Sequence, residues 1–160
     1  MKVDLQVRME LDGIRAVLFD RRAGWAFAAR CANCGEAFPQ NIHLDPSESV
    51  PVPGSRGDAH VVIKCKMCER TGNVKILSSA DTVEYADDSA GQFVSIGTFE
   101  GRGVDLVSWT PDADAVSASG LSSTAFDSIS LDDDWFDYDE KQACPVSITE
   151  FQQRTVRLEM

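Results

Sequence analysis

Apolar side chains in the first dozen positions fall at every second place: Val3, Leu5, Val7, Met9 and Leu11. A period of two puts them on one face of an extended strand, half-buried, with polar residues on the other. Asp12-Gly13 closes it as a turn or bulge. Residues 24–30, Gly-Trp-Ala-Phe-Ala-Ala-Arg, read as a strand running straight into Cys31. Residues 58–64, with Val61, Val62 and Ile63, deliver Cys65 in the same way, and residues 74–79 form a further short strand. Between them, 39–57 carries Pro39, Pro46, Pro51, Pro53, Gly54 and Gly57, which spells a loop or a set of turns around one short strand.

Past a polar spacer at 86–91, Phe93, Ser95, Gly97 and Phe99 define one strand face and Val94, Ile96 and Thr98 the other. Both faces carry apolar residues, so both are expected to be partly covered. Arg102-Gly103 is a turn or bulge before a strand at 104–109. Residues 111–124, rich in Ala, Ser and Asp, predict a mobile connection. Phe126, Ile129 and Leu131 start another strand. Val146, Ile148 and Phe151 begin the last, which Val156 and Leu158 close. No window holds an i, i+3, i+4, i+7 stripe beyond two turns. The expected fold is mainly β, with antiparallel sheets in a sandwich-like arrangement and low helix content.

An internal echo bears on organisation. Met9-Glu10-Leu11-Asp12-Gly13-Ile14 resembles Phe99-Glu100-Gly101-Arg102-Gly103-Val104. Two related β-modules would produce it, and so would chance. The chain is therefore read as one domain over 1–160, with 1–85 and 92–160 as its candidate submodules.

With 160 residues, 43% of them hydrophobic, the chain can bury a core without relying wholly on metal or disulfides. Its formal charge is −11, and the densest basic groups are mere pairs, Arg21 with Arg22 and Lys64 with Lys66. A surface of that sign repels phosphate backbones, which argues against nucleic acid as a partner. No run approaches the roughly 18–20 apolar residues of a membrane span. The alternating N-terminus lacks a secretory h-region, so a cytoplasmic location, extending to the nucleus, is expected.

The cysteines carry the chemistry. Cys31-Ala32-Asn33-Cys34 and Cys65-Lys66-Met67-Cys68 are separated by thirty residues. Each C-x-x-C presents two sulfurs from one tight turn, and two such turns make a tetrahedral Cys₄ cage for one Zn²⁺. Gly35 frees the first turn to take positive φ, and Gly72 follows the second at a short distance. A thioredoxin-like redox pair would need a βαβ pattern, which is absent. Iron–sulfur ligation matches by count. Four protein ligands leave no open position for water or substrate, so the zinc is structural.

Other candidates have bland readings. His43 and His60 suit surface or loop positions; His60 and Cys65 face opposite ways if they share one strand. Cys144 lies near Asp139 and Glu140, which oppose thiolate formation, so it reads as a passive thiol. Residues 132–140 mix Trp135, Phe136 and Tyr138 with six acids. They form either a docking patch for a basic or amphipathic partner or a staple in which Trp135 and Tyr138 grip the core. No histidine, nucleophile or oxyanion turn stands in a recognisable relation to these carboxylates.

At these motifs the chain resembles the eukaryotic CXXC motif-containing zinc-binding protein family. The resemblance runs over essentially the whole chain. Its landmarks are Cys31-Ala-Asn-Cys34-Gly35, Gly57, Lys64-Cys65-Lys-Met-Cys68, Ile76-Leu77-Ser78-Ser79, Phe99-Glu-Gly-Arg-Gly103, Thr124-Ala-Phe126 and Asp134-Trp135-Phe-Asp-Tyr138-Asp-Glu-Lys141. It implies a mostly β, soluble intracellular protein with one structural zinc on the four matching cysteines, and it brings no enzyme activity. The family often has cysteine where this chain has Gly101, which marks that position as no zinc ligand. The expected function is a non-enzymatic adaptor, monomeric, presenting an acidic surface to an unidentified protein partner. The alternative is a metal-handling accessory protein for zinc or copper.

Overall fold

The computed structural model describes residues 1–78 and 80–158. Ser79, where the strand expected over 74–79 and one family landmark end, lies outside the described residues, as do Glu159 and Met160.

Alternation at the N-terminus does what it predicts. The first strand, β1 (Lys2–Asp12), buries Leu5, Val7 and Met9 completely on one face. On the other face Asp4 is also buried, and its carboxylate accepts bonds from the Ser95 hydroxyl, from Gln6 Nε2 at 2.9 Å and from Thr98 Oγ1 at 3.3 Å. A buried carboxylate is tolerated because these donors replace water.

Next come β2 (Ile14–Asp20), β3 (Trp25–Cys31), β4 (Ile42–Leu44), β5 (Val50–Pro51), β6 (Asp58–Ala59), β7 (Val61–Lys64), β8 (Thr71–Ile76) and β9 (Thr82–Ala86). The second half holds β10 (Val94–Arg102), β11 (Val104–Trp109), β12 (Val116–Gly120), β13 (Ala125–Phe126), β14 (Trp135–Asp139) and β15 (Cys144–Leu158). Every pairing between them is antiparallel. The largest sheet runs β14-β15-β1-β10-β8-β7; the others are β11-β3-β4, β13-β12-β2-β9 and the β5-β6 ribbon. At Gly13 (φ 70°) and Gly103 (φ 76°) the two central strands of the large sheet turn out of it into the smaller sheets.

Aromatic residues from facing sheets meet in the core. Trp25 and Phe27 stand edge-on to Phe99, with centroids 5.1 and 5.0 Å away. Such pairs add roughly 0.5–1.5 kcal/mol each beyond area burial. Gly97 makes the space: a Cβ there would lie 3.1 Å from both the Phe99 and Trp25 rings.

Residues 111–124 are not a mobile connection. They form a 3₁₀ turn at Ala113–Ala115 and then β12, whose Val116, Ala118 and Gly120 are buried against β2. The alternation was there, but written in Ala, Ser and Gly, which give little contrast in hydropathy. Ile129 and Leu131 are buried in a loop rather than a strand; Ser128 sits at φ 53° and Ile129 N–H bonds Val116 O. Strands β2, β9 and β14 were not foreseen. In β9, Tyr85 is completely buried, and its hydroxyl reaches Ser89 O and Gln92 O at 2.7 Å each. No helix among the described residues is long and apolar enough to cross a membrane.

Candidate metal centre

Two strand ends build the site. β3 stops at Cys31, where Cys31 N–H donates to Glu36 O and Gly35 N–H to Cys31 O, both at 2.9 Å. Gly35 takes φ 79°, and nothing lies within 4 Å of where its Cβ would be. Conformation, not crowding, is what asks for glycine there. The turn after β7 repeats the design: Cys65 N–H donates to Arg70 O at 2.9 Å, and Glu69 N–H to Cys65 O at 2.8 Å. Here the left-handed residue is Glu69, at φ 63°. Gly72 plays no part in that turn; a Cβ on it would come within 2.7 Å of Val104 Cγ2, so it serves close packing between strands.

All four sulfurs lie within 4.8 Å of one another. Cys31 Sγ is 3.7 Å from Cys68 Sγ, and Cys34 Sγ is 3.6 Å from Cys65 Sγ. A tetrahedral zinc with bonds of about 2.3 Å sets sulfurs ~3.8 Å apart. Bonded sulfurs would sit at about 2.05 Å. The spacing therefore suits a shared cation, and each short pair joins one turn to the other. Cys31 and Cys65 are buried, Cys68 is half-buried and Cys34 is exposed, so the cage has a sealed inner side and an open outer one.

The acidities of Cys34 and Cys68 shift in opposite directions. The Arg70 N–H, helped by the Asn33 side chain, draws Cys68 down to about 6. The Glu36 N–H pulls on Cys34 in the same sense, but desolvation and the neighbouring sulfurs outweigh it and push that thiol up to about 12. Without a cation, one thiolate in the cluster makes the next costly. A divalent ion removes that cost, which is what such a donor set is suited to hold.

Neither histidine joins the cluster. His43 is exposed on β4. His60 is only part-exposed, and its Nδ1 accepts the Ile76 N–H at 2.9 Å, a structural bond the sequence did not reveal. Cys144 is half-buried against the core, in keeping with a passive thiol. Gly101 is no ligand either; it is buried in β10, and a Cβ on it would run into Val104 O. The staple reading of 132–140 divides. Trp135 packs edge-on to Phe126 at 5.3 Å, whereas Tyr138 points outward, 51% exposed, beside Phe136 at 70%. Asn33, Glu36, Glu69 and Arg70 shape the cage through backbone or local contacts that no residue-type pattern marks.

Compared with known proteins, the chain matches the family model described as CXXC motif containing zinc binding protein, eukaryotic, over residues 4–156. It belongs to that family. Proteins named CXXC motif containing zinc binding protein are 37% identical to it in Homo sapiens and 36% in Bos taurus, each over 98% of both chains. The solved structure titled "Crystal Structure of C1orf123" superposes with a TM-score of 0.85 at 34% identity, covering 99% of this chain and 100% of that one. A "Hypothetical protein from plasmodium falciparum", 20% identical with a TM-score of 0.82 over 98% of this chain and 99% of that one, shares the fold. A zinc-binding family and a Cys₄ cluster agree on one structural Zn²⁺. With four sulfurs around it, such an ion is closed to substrate and acts as a cross-link.

Proposed function

We propose that Cys31, Cys34, Cys65 and Cys68 ligate the zinc and that this chain is a non-enzymatic adaptor, docking a basic protein partner on the outer edge of β14. The observation that carries the reading is that edge. β14 ends the largest sheet, and nothing among the described strands pairs with its outer side. Phe136 and Tyr138 stand exposed on it, among Asp132, Asp133, Asp134, Asp137 and Glu140. An edge strand carrying large exposed aromatics is normally blunted unless something binds it. Extended segments add to such edges, and the acids favour a Lys- or Arg-rich one.

A non-catalytic role is supported by the donor set: a closed cage, one exposed histidine and one whose Nδ1 is already bonded. Five free cysteines suit the reducing cytoplasm. We read the chain as a monomer. Affinity capture in mild salt tests the reading: a reproducible basic partner should be lost with Phe136→Ser or Asp137→Lys while the melting temperature holds. Repeated capture with no enriched partner removes the proposal.

A second reading, metal handling, has its own support. Cys34 is exposed, and Met67, next to the ligand candidate Cys68 in sequence, is 69% exposed, so two soft sulfur donors of the C-x-x-C turns face solvent. Zinc that leaves readily to a competing chelator, or copper(I) taken in its place, would favour it. Zinc that resists chelators decides for the structural cross-link.

A further inference from the structure

Pairing registers recur between the two halves of the chain. Ile14 of β2 faces Gly120 of β12, and Val104 of β11 faces Cys31 of β3. Further along the same pairs, Phe19 faces Val116 and Trp109 faces Phe27. In the large sheet Leu11 faces Ile148 as Gly101 faces Val74, and Asp12 faces Ser147 as Arg102 faces Asn73. The outer hairpins agree: Trp135 faces Ile148 as Val61 faces Val74. Close packing repeats too. A Cβ on Gly13 would meet Val146 Cγ1 at 2.8 Å, and one on Gly103 would meet Gly72 Cα at 3.3 Å. These registers set Gly120 in the place of Cys31 and Asp139 in the place of Cys65.

The turns correspond as well. After Cys65 the fourth residue, Glu69, is left-handed at φ 63°; after Asp139 the fourth residue, Ala143, is left-handed at φ 51°. Cys31 N–H closes on Glu36 O, ahead of Ala37-Phe38. Gly120 N–H closes on Thr124 O at 2.8 Å, ahead of Ala125-Phe126, in a turn one residue shorter.

At the point that corresponds to the cage lies one carboxylate. Asp139 is completely buried. Its Oδ1 accepts from Thr124 Oγ1 at 2.7 Å, Lys141 N–H at 3.0 Å and Gln142 N–H at 3.3 Å. Its Oδ2 has no hydrogen-bond partner and presses on Gly120, where any Cβ would collide with it. So a single side chain ties the 120–124 turn to the 139–144 turn, as the sulfurs tie 31–36 to 65–70. A buried carboxylate oxygen without a donor is costly; Gly120 leaves room for it, and Thr124 supplies a donor to the other oxygen.

We propose that the Gly120–Thr124–Asp139 corner is the metal-free counterpart of the cysteine cage, a second clasp in which a buried carboxylate takes the cross-linking part that zinc takes in the first. The registers also support treating 1–85 and 92–160 as two related modules with exchanged strands. The two ends of the fold then answer differently to metal. Loss of zinc loosens 31–36 and 65–70; β14, which hangs from Asp139, keeps its shape. The inference rests on the cysteines being the zinc ligands.

Hydrogen exchange read by mass spectrometry tests it on the full chain. Stripping zinc should speed exchange at least tenfold at 31–38 and 65–72 and by less than twofold at 120–126 and 139–144. Thr124→Val in the zinc-loaded protein should reverse the pattern and keep one zinc per chain. Asp139→Asn should do the same more strongly, with Thr124→Val deciding if that variant does not fold. Equal loosening of both corners on chelation overturns the proposal, as does a Thr124→Val protein whose 139–144 exchange is unchanged. Purified protein lacking zinc would remove the ligand reading instead, and the Thr124→Val comparison would still decide the clasp.

Discussion

Cys31 Sγ and Cys68 Sγ lie 3.7 Å apart although 37 positions separate them in sequence. The contact closes a loop that contains β4 to β7, and a cation there fastens it much as a cross-link would. Cys68→Ser should abolish stoichiometric zinc. Loss of a metal clasp is among the larger single-site effects, on the order of 4 kcal/mol. For a chain of this size that is a fall of ~8–16 °C in melting temperature. Metal analysis with differential scanning calorimetry checks both. A variant with full zinc, or with unchanged melting, would show that the sulfurs are not a structural cage.

Glu69 bears the left-handed strain that Gly35 avoids in the sister turn. Non-glycine residues pay about 1–2 kcal/mol for that conformation, and glycine's unfolded-state entropy offsets part of it. Glu69→Gly should therefore raise stability by roughly 0.5–1 kcal/mol. Gly35→Ala should lower it by a similar amount. Urea titrations of the two variants should shift their midpoints in opposite directions.

Tyr85 holds the link between the halves through its buried hydroxyl. Tyr85→Phe keeps the ring but removes the single O–H donor that Ser89 O and Gln92 O share and the oxygen that accepts the Met9 N–H at 3.3 Å. Unsatisfied buried acceptors cost roughly 1–3 kcal/mol. Chemical denaturation should show a loss in that range with little change in slope.

His60 gives the fold a pH dependence of definite sign. Desolvation, with Lys75 nearby, lowers its pKa below the ordinary 6.5, against a weaker opposing pull from Asp45. Its Nδ1 must be unprotonated to accept the Ile76 N–H. The unfolded chain thus binds the proton first. Stability is full above about 6.5, declines as pH falls below that value and levels off once the folded-state pKa is passed. His60→Gln should flatten that part of the profile relative to wild type, measured as the difference between the two in matched buffers. Identical profiles would dismiss the histidine as the source.

Much of this was legible in one dimension. The alternation of Val3 to Leu11 specified a half-buried strand because side chains in a strand point to opposite sides in turn. Doubled C-x-x-C pairs specified a cation site because thiolates at that spacing converge from a single turn. Gly13 and Gly103 announced breaks because positive φ is cheap only there. Strand β12 was hidden by weak contrast between Ala, Ser and Gly, and β14 by acids that mask its edge-strand alternation.

Local pattern determined where the strongly alternating strands and the paired cysteines lie, since both depend on neighbours within a few residues. Tertiary structure alone decided which strand lies against which, that Cys31 meets Cys68, that Tyr138 faces out while Asp139 is sealed beneath Gly120, and that Glu69 carries the second turn's strain. Those outcomes come from pairings across many tens of residues. Their free energy resides in surfaces that exist only once both partners are in place.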